Sequence, residues 1–198
     1  ELFKLPTFIN TMMENKWLGS KTKQGFYKKV DKDILSLDLN TLEYRPQQKA
    51  SFQTLELTKT IDKVKDRFKV LVKGTDKAGD FYRKSFAALF AYVSKRIPEI
   101  TDDLYKIDDA MKAGFGWENG PFEIWDAIGV EKGIELMKAE GLEPASWVTD
   151  MLASGNKSFY TIKEGSTYFY DIASKSQKKV PGQDSFIILN NIRESKKV

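Results

Sequence analysis

One pattern occurs twice in these 198 residues, and it limits the possible folds more than any single motif does. Phe8-Ile9-Asn10-Thr11-Met12-Met13 matches Trp147-Val148-Thr149-Asp150-Met151-Leu152 in the placing of its apolar side chains. Phe26-Tyr27 matches Phe159-Tyr160 at an offset of 133, and the same offset carries Asp38 onto Asp171. Both stretches then run to a proline, Pro46 and Pro181. A helix, a glycine, Phe-Tyr, an extended run and a proline in the same order point to an internal duplication, and two copies are too few for a solenoid. One complete unit, residues 51–183, is therefore expected behind the tail of an earlier unit, residues 1–50. The front of that earlier unit would lie before Glu1, a start that itself suggests a processed chain or a piece of a larger one.

Local patterns supply the elements. Apolar pairs at 8/9 and 12/13 predict a short helix stopped by Gly19, and the alternation from Ile34 through Leu42 and Tyr44 predicts an extended strand. Pro46 to Lys49 is a polar break. Ile61, Val64, Phe68 and Leu71 recur at helical spacing behind Thr58 or Thr60 as caps, with Gly74 as the stop. Asp76 is placed to cap the next helix, whose run from Phe81 to Val93 is apolar nearly all round and is expected at the centre of a helical core. Thr101-Asp102-Asp103 supplies a cap and first-turn acids for a helix ending at Gly114. Val130, Ile134 and Met137 mark one closed by Gly141, and Pro144 falls in the first turn of one that stops at Gly155. Phe159 to Ile162 and Thr167 to Ile172 read as a β-hairpin about Lys163-Glu164-Gly165-Ser166.

Composition removes whole classes of chemistry. There is no cysteine and no histidine, so a disulfide framework, thiolate or imidazole catalysis and the commonest transition-metal ligands are excluded for this chain alone. A net charge of +4 suits an anionic partner, but the bases are interleaved with acids, as in Lys63-Val64-Lys65-Asp66-Arg67, which reads as a solvated face rather than a nucleic-acid stripe. The longest strongly apolar run, Phe86 to Val93, falls far short of the roughly 20 residues that span a bilayer. A cytoplasmic location is the expectation.

Three features are candidates for chemistry. Gly114-Phe115-Gly116-Trp117-Glu118-Asn119-Gly120-Pro121 has neither the dinucleotide nor the P-loop spacing and follows a helix, so a sharp corner with glycines at positive φ outweighs a phosphate cradle. Glu118, Glu123 and Asp126 cluster nearby, but Glu123 two residues after Pro121 reads as a first-turn acid before it reads as a catalyst. Lys21 and Lys23, in Gly19-Ser20-Lys21-Thr22-Lys23-Gln24-Gly25, are the candidates for contact with an anionic substrate such as a nucleotide phosphate.

Ile107-Asp108-Asp109-Ala110-Met111-Lys112-Ala113-Gly114-Phe115-Gly116, followed by Gly120-Pro121-Phe122-Glu123-Ile124-Trp125-Asp126-Ala127-Ile128-Gly129, resembles the helical C-terminal domain of 3-hydroxyacyl-CoA dehydrogenases. Trp17-Leu18-Gly19-Ser20-Lys21-Thr22-Lys23-Gln24-Gly25-Phe26-Tyr27 is similar to the Gly-Arg-Lys-Thr-Gly-x-Gly-Phe-Tyr ending of the same domain, with Lys23 in place of a usual glycine. Glu118-Asn119 stands where Pro-Met is common, and Phe81-Tyr82-Arg83-Lys84 lacks the Asn-Arg pair that supports the active site in a first copy.

The resemblance implies a mainly α fold of the 6-phosphogluconate dehydrogenase C-terminal-like class with small β-hairpin additions, one full copy preceded by the tail of another. Residues 184–198 would be a linker to a following domain. It further implies a multifunctional fatty-acid β-oxidation parent that uses NAD on a Rossmann domain and carries a linked enoyl-CoA hydratase of the crotonase fold, with acyl-CoA as substrate. The family's reaction uses a histidine outside these residues. No residue here is therefore assigned a catalytic, cofactor-binding or metal-binding role, and the implied job is to close the acyl-CoA cleft and organise domains. The competing reading is a stand-alone helical interaction module, and a weaker one a basic nucleic-acid binder.

Overall fold

A computed structural model describes residues 4–183, 185 and 187–195, which divide at Ala50/Ser51 into two units. In the first unit, α1 (Thr7–Glu14) buries Met12 on its inner face. The helix stops short of Gly19, because Lys16 takes the left-handed conformation (φ 59°) and the Trp17 N–H bonds back to the Met12 carbonyl. An antiparallel meander follows: β1 (Tyr27–Val30), β2 (Asp33–Leu37) and β3 (Tyr44–Pro46), with Tyr27 opposite Ser36 and Leu37 opposite Tyr44. The single extended run predicted through Leu42 and Tyr44 is thus broken. Asp38 Oδ1 accepts the Asn40 and Thr41 N–H groups, Leu42 turns to φ 60°, and Arg45 Nε closes the turn onto Asp38 Oδ2 at 3.1 Å.

The second unit is predominantly helical. It comprises α2 (Gln53–Lys59), α3 (Val64–Lys73), α4 (Lys77–Lys95), α5 (Leu104–Phe115), α6 (Pro121–Ile128), α7 (Val130–Ala139) and α8 (Ser146–Ala153), then a second meander, β4 (Tyr160–Lys163), β5 (Ser166–Asp171) and β6 (Ser176–Lys179), and α9 (Leu189–Ser195). Thr58 and Thr60 close α2 instead of opening α3. Asp76 caps α4 as expected, accepting the Gly79 N–H at 3.0 Å. The same carboxylate takes the Thr54 N–H and hydroxyl, and these donors hold it down at about 2.

Helix α4 is central but not buried all round: Phe86, Ala87, Phe90, Ala91 and Val93 are buried, whereas Phe81 and Tyr92 are 64% and 59% exposed. Its inner ring Phe90 stacks on Trp125 at 4.8 Å, and Phe122 and Trp125 both meet Phe159 at 5.0 Å, so α4, α6 and the second sheet share one core. Pro144 lies ahead of α8 rather than in its first turn, which begins at Ser146. Both β additions are three-stranded sheets rather than hairpins. Part of the predicted linker is helical, since α9 lies on the second sheet through Asn191 Nδ2 to Thr167 Oγ1 at 2.8 Å and Gly165 N to Ser195 Oγ at 3.1 Å. Asp184, Phe186 and residues 196–198 of that stretch lie outside the described residues.

Candidate functional site

The corner between α5 and α6 gathers the carboxylates. Gly116 ends α5 at φ 67°, as a left-handed stop requires, but Gly120 sits at φ −77°. What demands glycine at 120 is space: a Cβ there would lie 2.4 Å from Asp108 Cα and 2.3 Å from its Cβ. That close approach brings Asp108, fully buried, under the first turn of α6. Asp108 Oδ1 accepts the Phe122 N–H at 2.9 Å, and Oδ2 accepts the Glu123 N–H and the Tyr160 hydroxyl, each at 3.0 Å. Two of the N–H groups that a helix start leaves without intrahelical partners are thereby satisfied from another helix.

Glu123 completes the corner as the first-turn acid expected of it. Its Oε2 accepts the Gly120 N–H at 2.8 Å, and Lys112 Nζ lies 3.3 Å from Oε1. One turn on, Asp126 faces the start of β4, where Oδ1 accepts the Phe159 N–H and Oδ2 the Tyr160 N–H, both at 2.8 Å. Glu123, Asp126 and Tyr160 line a groove of about 550 Å³, which Glu118, exposed, does not reach. Both oxygens of Asp108 and both of Asp126 are taken by protein donors. The arrangement fastens α5, α6 and β4 to one another. The sequence marked Asp108 only as part of a motif; its three donors come from residues 14, 15 and 52 positions away, which no local pattern encodes.

Burial pushes the Asp108 carboxyl up to about 7 against the pull of its N–H donors, and does the same to Asp126. Each therefore holds a proton in the folded unit at a pH where the unfolded chain, with aspartate near about 4, has released it. These two groups make the unit less stable as pH rises from about 4 through about 7, and their contribution levels off above that. Carboxyl-carbon NMR titration should give midpoints near 7 for Asp108 and Asp126, well apart from those of exposed aspartates.

In the first unit the Gly19–Gly25 loop is built around Thr22. Its Oγ1 accepts the Leu18 N–H at 3.0 Å and donates to the Gln24 carbonyl at 3.0 Å, while Gly19 N bonds Gln24 O at 2.9 Å. Gly25 packs under Gly19, where a Cβ would lie 2.8 Å from the Gly19 Cα, and the Tyr44 hydroxyl donates to the Gly25 carbonyl at 2.6 Å. Lys21 lies in a short 3₁₀ turn, Ser20–Thr22, and Lys23 follows at φ 64°. Both are exposed. Lys23 reaches a cleft of about 760 Å³ with Phe26, Tyr27, Lys29 and Ile34 on its walls; Lys21 does not.

The described residues form no parallel strand pair. Both sheets are antiparallel, and the glycine-rich corner joins helix to helix, so the strand, glycine turn and helix that cradle a pyrophosphate are not formed there. Nor is any helix of the described residues long and apolar enough to cross a membrane.

No family model matches the chain, and no solved structure matches it. It is 41% identical over 171 residues to a probable 3-hydroxyacyl-CoA dehydrogenase of Bacillus subtilis, a match covering 86% of this chain and 22% of that protein. It is 30% identical over 124 residues to a putative fatty acid oxidation complex trifunctional enzyme of Rickettsia felis, covering 59% of this chain and 15% of that one. The similarly named protein of Rickettsia prowazekii is 27% identical over 135 residues, covering 65% and 17%. The chain thus spans between 15% and 22% of the length of these relatives. The kinship that the Gly120-Pro121-Phe122-Glu123 stretch implied is real: this chain is a relative of the 3-hydroxyacyl-CoA dehydrogenases and fatty acid oxidation complex enzymes, matching a segment of those longer proteins.

Proposed function

We propose that these residues are the helical, non-reacting part of an NAD-dependent 3-hydroxyacyl-CoA dehydrogenase of fatty-acid β-oxidation, in a polypeptide that also carries an enoyl-CoA hydratase. The observation that carries the reading is a match over 86% of this chain that takes up only 22% of the relative, in a sequence with no histidine. A proton acceptor for the substrate hydroxyl and a seat for the nicotinamide would then be supplied by other parts of the longer protein, whose domains this segment holds together as it closes the acyl-CoA cleft. In this reading residues 1–50 end one helical repeat, 51–183 form a second of the 6-phosphogluconate dehydrogenase C-terminal-like fold, and 184–198 lead into a further domain. Lys21 and Lys23, exposed on a well-braced loop, are the residues proposed to meet the phosphates of acyl-CoA, and the cytoplasm is the proposed location.

The test is gain of activity on extension. With NAD⁺ and a 3-hydroxyacyl-CoA, the 198-residue chain should form no NADH, and the longer polypeptide with its nucleotide-binding domain should form it. Turnover by the short chain would overturn the proposal.

A further inference from the structure

The two sheets are copies in three dimensions as well as in sequence. At the offset of 133, Leu37 N to Phe26 O (2.9 Å) repeats as Tyr170 N to Phe159 O (2.8 Å), and the Arg45–Asp38 ion pair as Lys178–Asp171. Asp31 and Glu164 turn the first corner at φ 52° and 50°, and Leu42 and Lys175 turn the second at 60° and 52°. The helices ahead of the sheets, Thr7–Glu14 and Ser146–Ala153, stand 139 apart, so the loop that follows is six residues longer in the first copy.

The copies differ in what covers them. Phe159 is fully buried and its partner by position, Phe26, is 47% exposed; Tyr27, matching the hydrogen-bonded Tyr160, is 59% exposed. The two concavities coincide: Gly25, Tyr27, Lys29 and Ile34 of the open cleft correspond one for one to Ser158, Tyr160, Ile162 and Thr167 of the groove in the second unit. There the opposite wall is α6, through Glu123 and Asp126. In the second copy Asp126 takes the N–H groups of Phe159 and Tyr160. In the first, the alternation of the ladder turns the Tyr27 N–H away from β2, and the Phe26 N–H has no acceptor among the described residues.

We propose that the cleft along Phe26 and Tyr27 is the seat of a helix pair resembling α5 and α6, encoded ahead of residue 1 in the same polypeptide. Its second helix would present an aspartate to the Phe26 and Tyr27 N–H groups, and its first an aspartate to the Tyr27 hydroxyl. Chain order favours this occupant, because in the second copy the helix pair precedes the sheet it covers. A second copy of this chain is a poor fit, because its own α6 is already spent on β4. The proposal rests on reading residues 1–50 as the tail of a first repeat, and it is independent of which reaction the longer protein catalyses.

Amide hydrogen exchange, compared between the 198-residue chain and the polypeptide extended upstream, decides it. In the short chain the Phe26 and Tyr27 amides should exchange at least about 100-fold faster than those of Phe159 and Tyr160, and extension should slow them by a similar factor. Tyr27→Phe should lower the thermal midpoint of the extended protein and leave that of the short chain unchanged. Unprotected Phe26 and Tyr27 amides in the extended protein would overturn the proposal. So would protection already present in the short chain, whether it depends on concentration, as in self-association, or not. NADH formation is scored separately, so the loss of the enzymatic reading would leave this result standing.

Discussion

Asp108→Ala should destabilise the second unit by about 3–5 kcal/mol in urea unfolding, since each buried group left without its partner costs roughly 1–3 kcal/mol. Three lose theirs at once: the Phe122 and Glu123 N–H groups at the start of α6 and the Tyr160 hydroxyl. The Phe122 N–H is shut off from solvent, since Asp108 and Phe122 are fully buried, while Glu123 and Tyr160 are half-buried beside the groove. Asp108→Asn should lie between, keeping one good acceptor and opposing an amide N–H₂ to a backbone donor. The adjacent Asp109→Ala is the control. Among the described residues its exposed carboxylate pairs with the half-buried Lys112 alone, at 3.0 Å, a contact worth about 1 kcal/mol or less. Equal losses from Asp108→Ala and Asp109→Ala would contradict the capping role.

Gly120→Ala is the second large effect, and its origin is steric. The new methyl would sit 2.3 Å from the Asp108 Cβ and Cγ and 2.4 Å from its Cα, so α5 and α6 must move apart and the bonds across the corner lengthen. Overpacking costs typically about 1–3 kcal/mol, and the weakened cap adds to it, so a loss of about 3 kcal/mol or more is expected. Since both changes act on one corner, Asp108→Ala with Gly120→Ala should cost less than the sum of the two. Denaturant midpoints of the four proteins measure this directly. Strict additivity would mean that the glycine and the aspartate do not act through one corner.

Much of this was readable in the residues, for physical reasons that differ by element. Asp76, Pro121 and Gly155 act within one turn of chain, so their roles as cap, helix start and stop follow from spacing alone. The correspondence of the two sheets was legible because Phe26-Tyr27 and Phe159-Tyr160 kept their side chains, even though the first pair is exposed and Phe159 is fully buried. Strands β1 and β6 were missed because edge strands such as Tyr27-Lys28-Lys29-Val30 and Ser176-Gln177-Lys178-Lys179 bury almost nothing and show no apolar alternation, and β3 was run together with β2. The roles of Asp108 and Asp126 were hidden for a third reason. Their partners are backbone N–H groups on other elements, and a backbone amide has no identity in a sequence. Gly120 looked like a turn glycine, whereas its φ of −77° is open to any residue and only the nearness of Asp108 explains it.

Asp108 and Asp126 fasten the fold, and the reacting group is proposed to lie elsewhere in the longer polypeptide. With pKa values near 7, Asp108 and Asp126 would otherwise be natural candidates for an acid or base. The decisive measurement is the pH dependence of kcat for the longer polypeptide, in the dehydrogenase reaction proposed for it, with and without Asp126→Asn, taken well below the melting temperature and normalised to folded protein. The expected result is a lower melting temperature and an unchanged pH profile. A limb of the profile near pH 7 that vanishes with Asp126→Asn would contradict it.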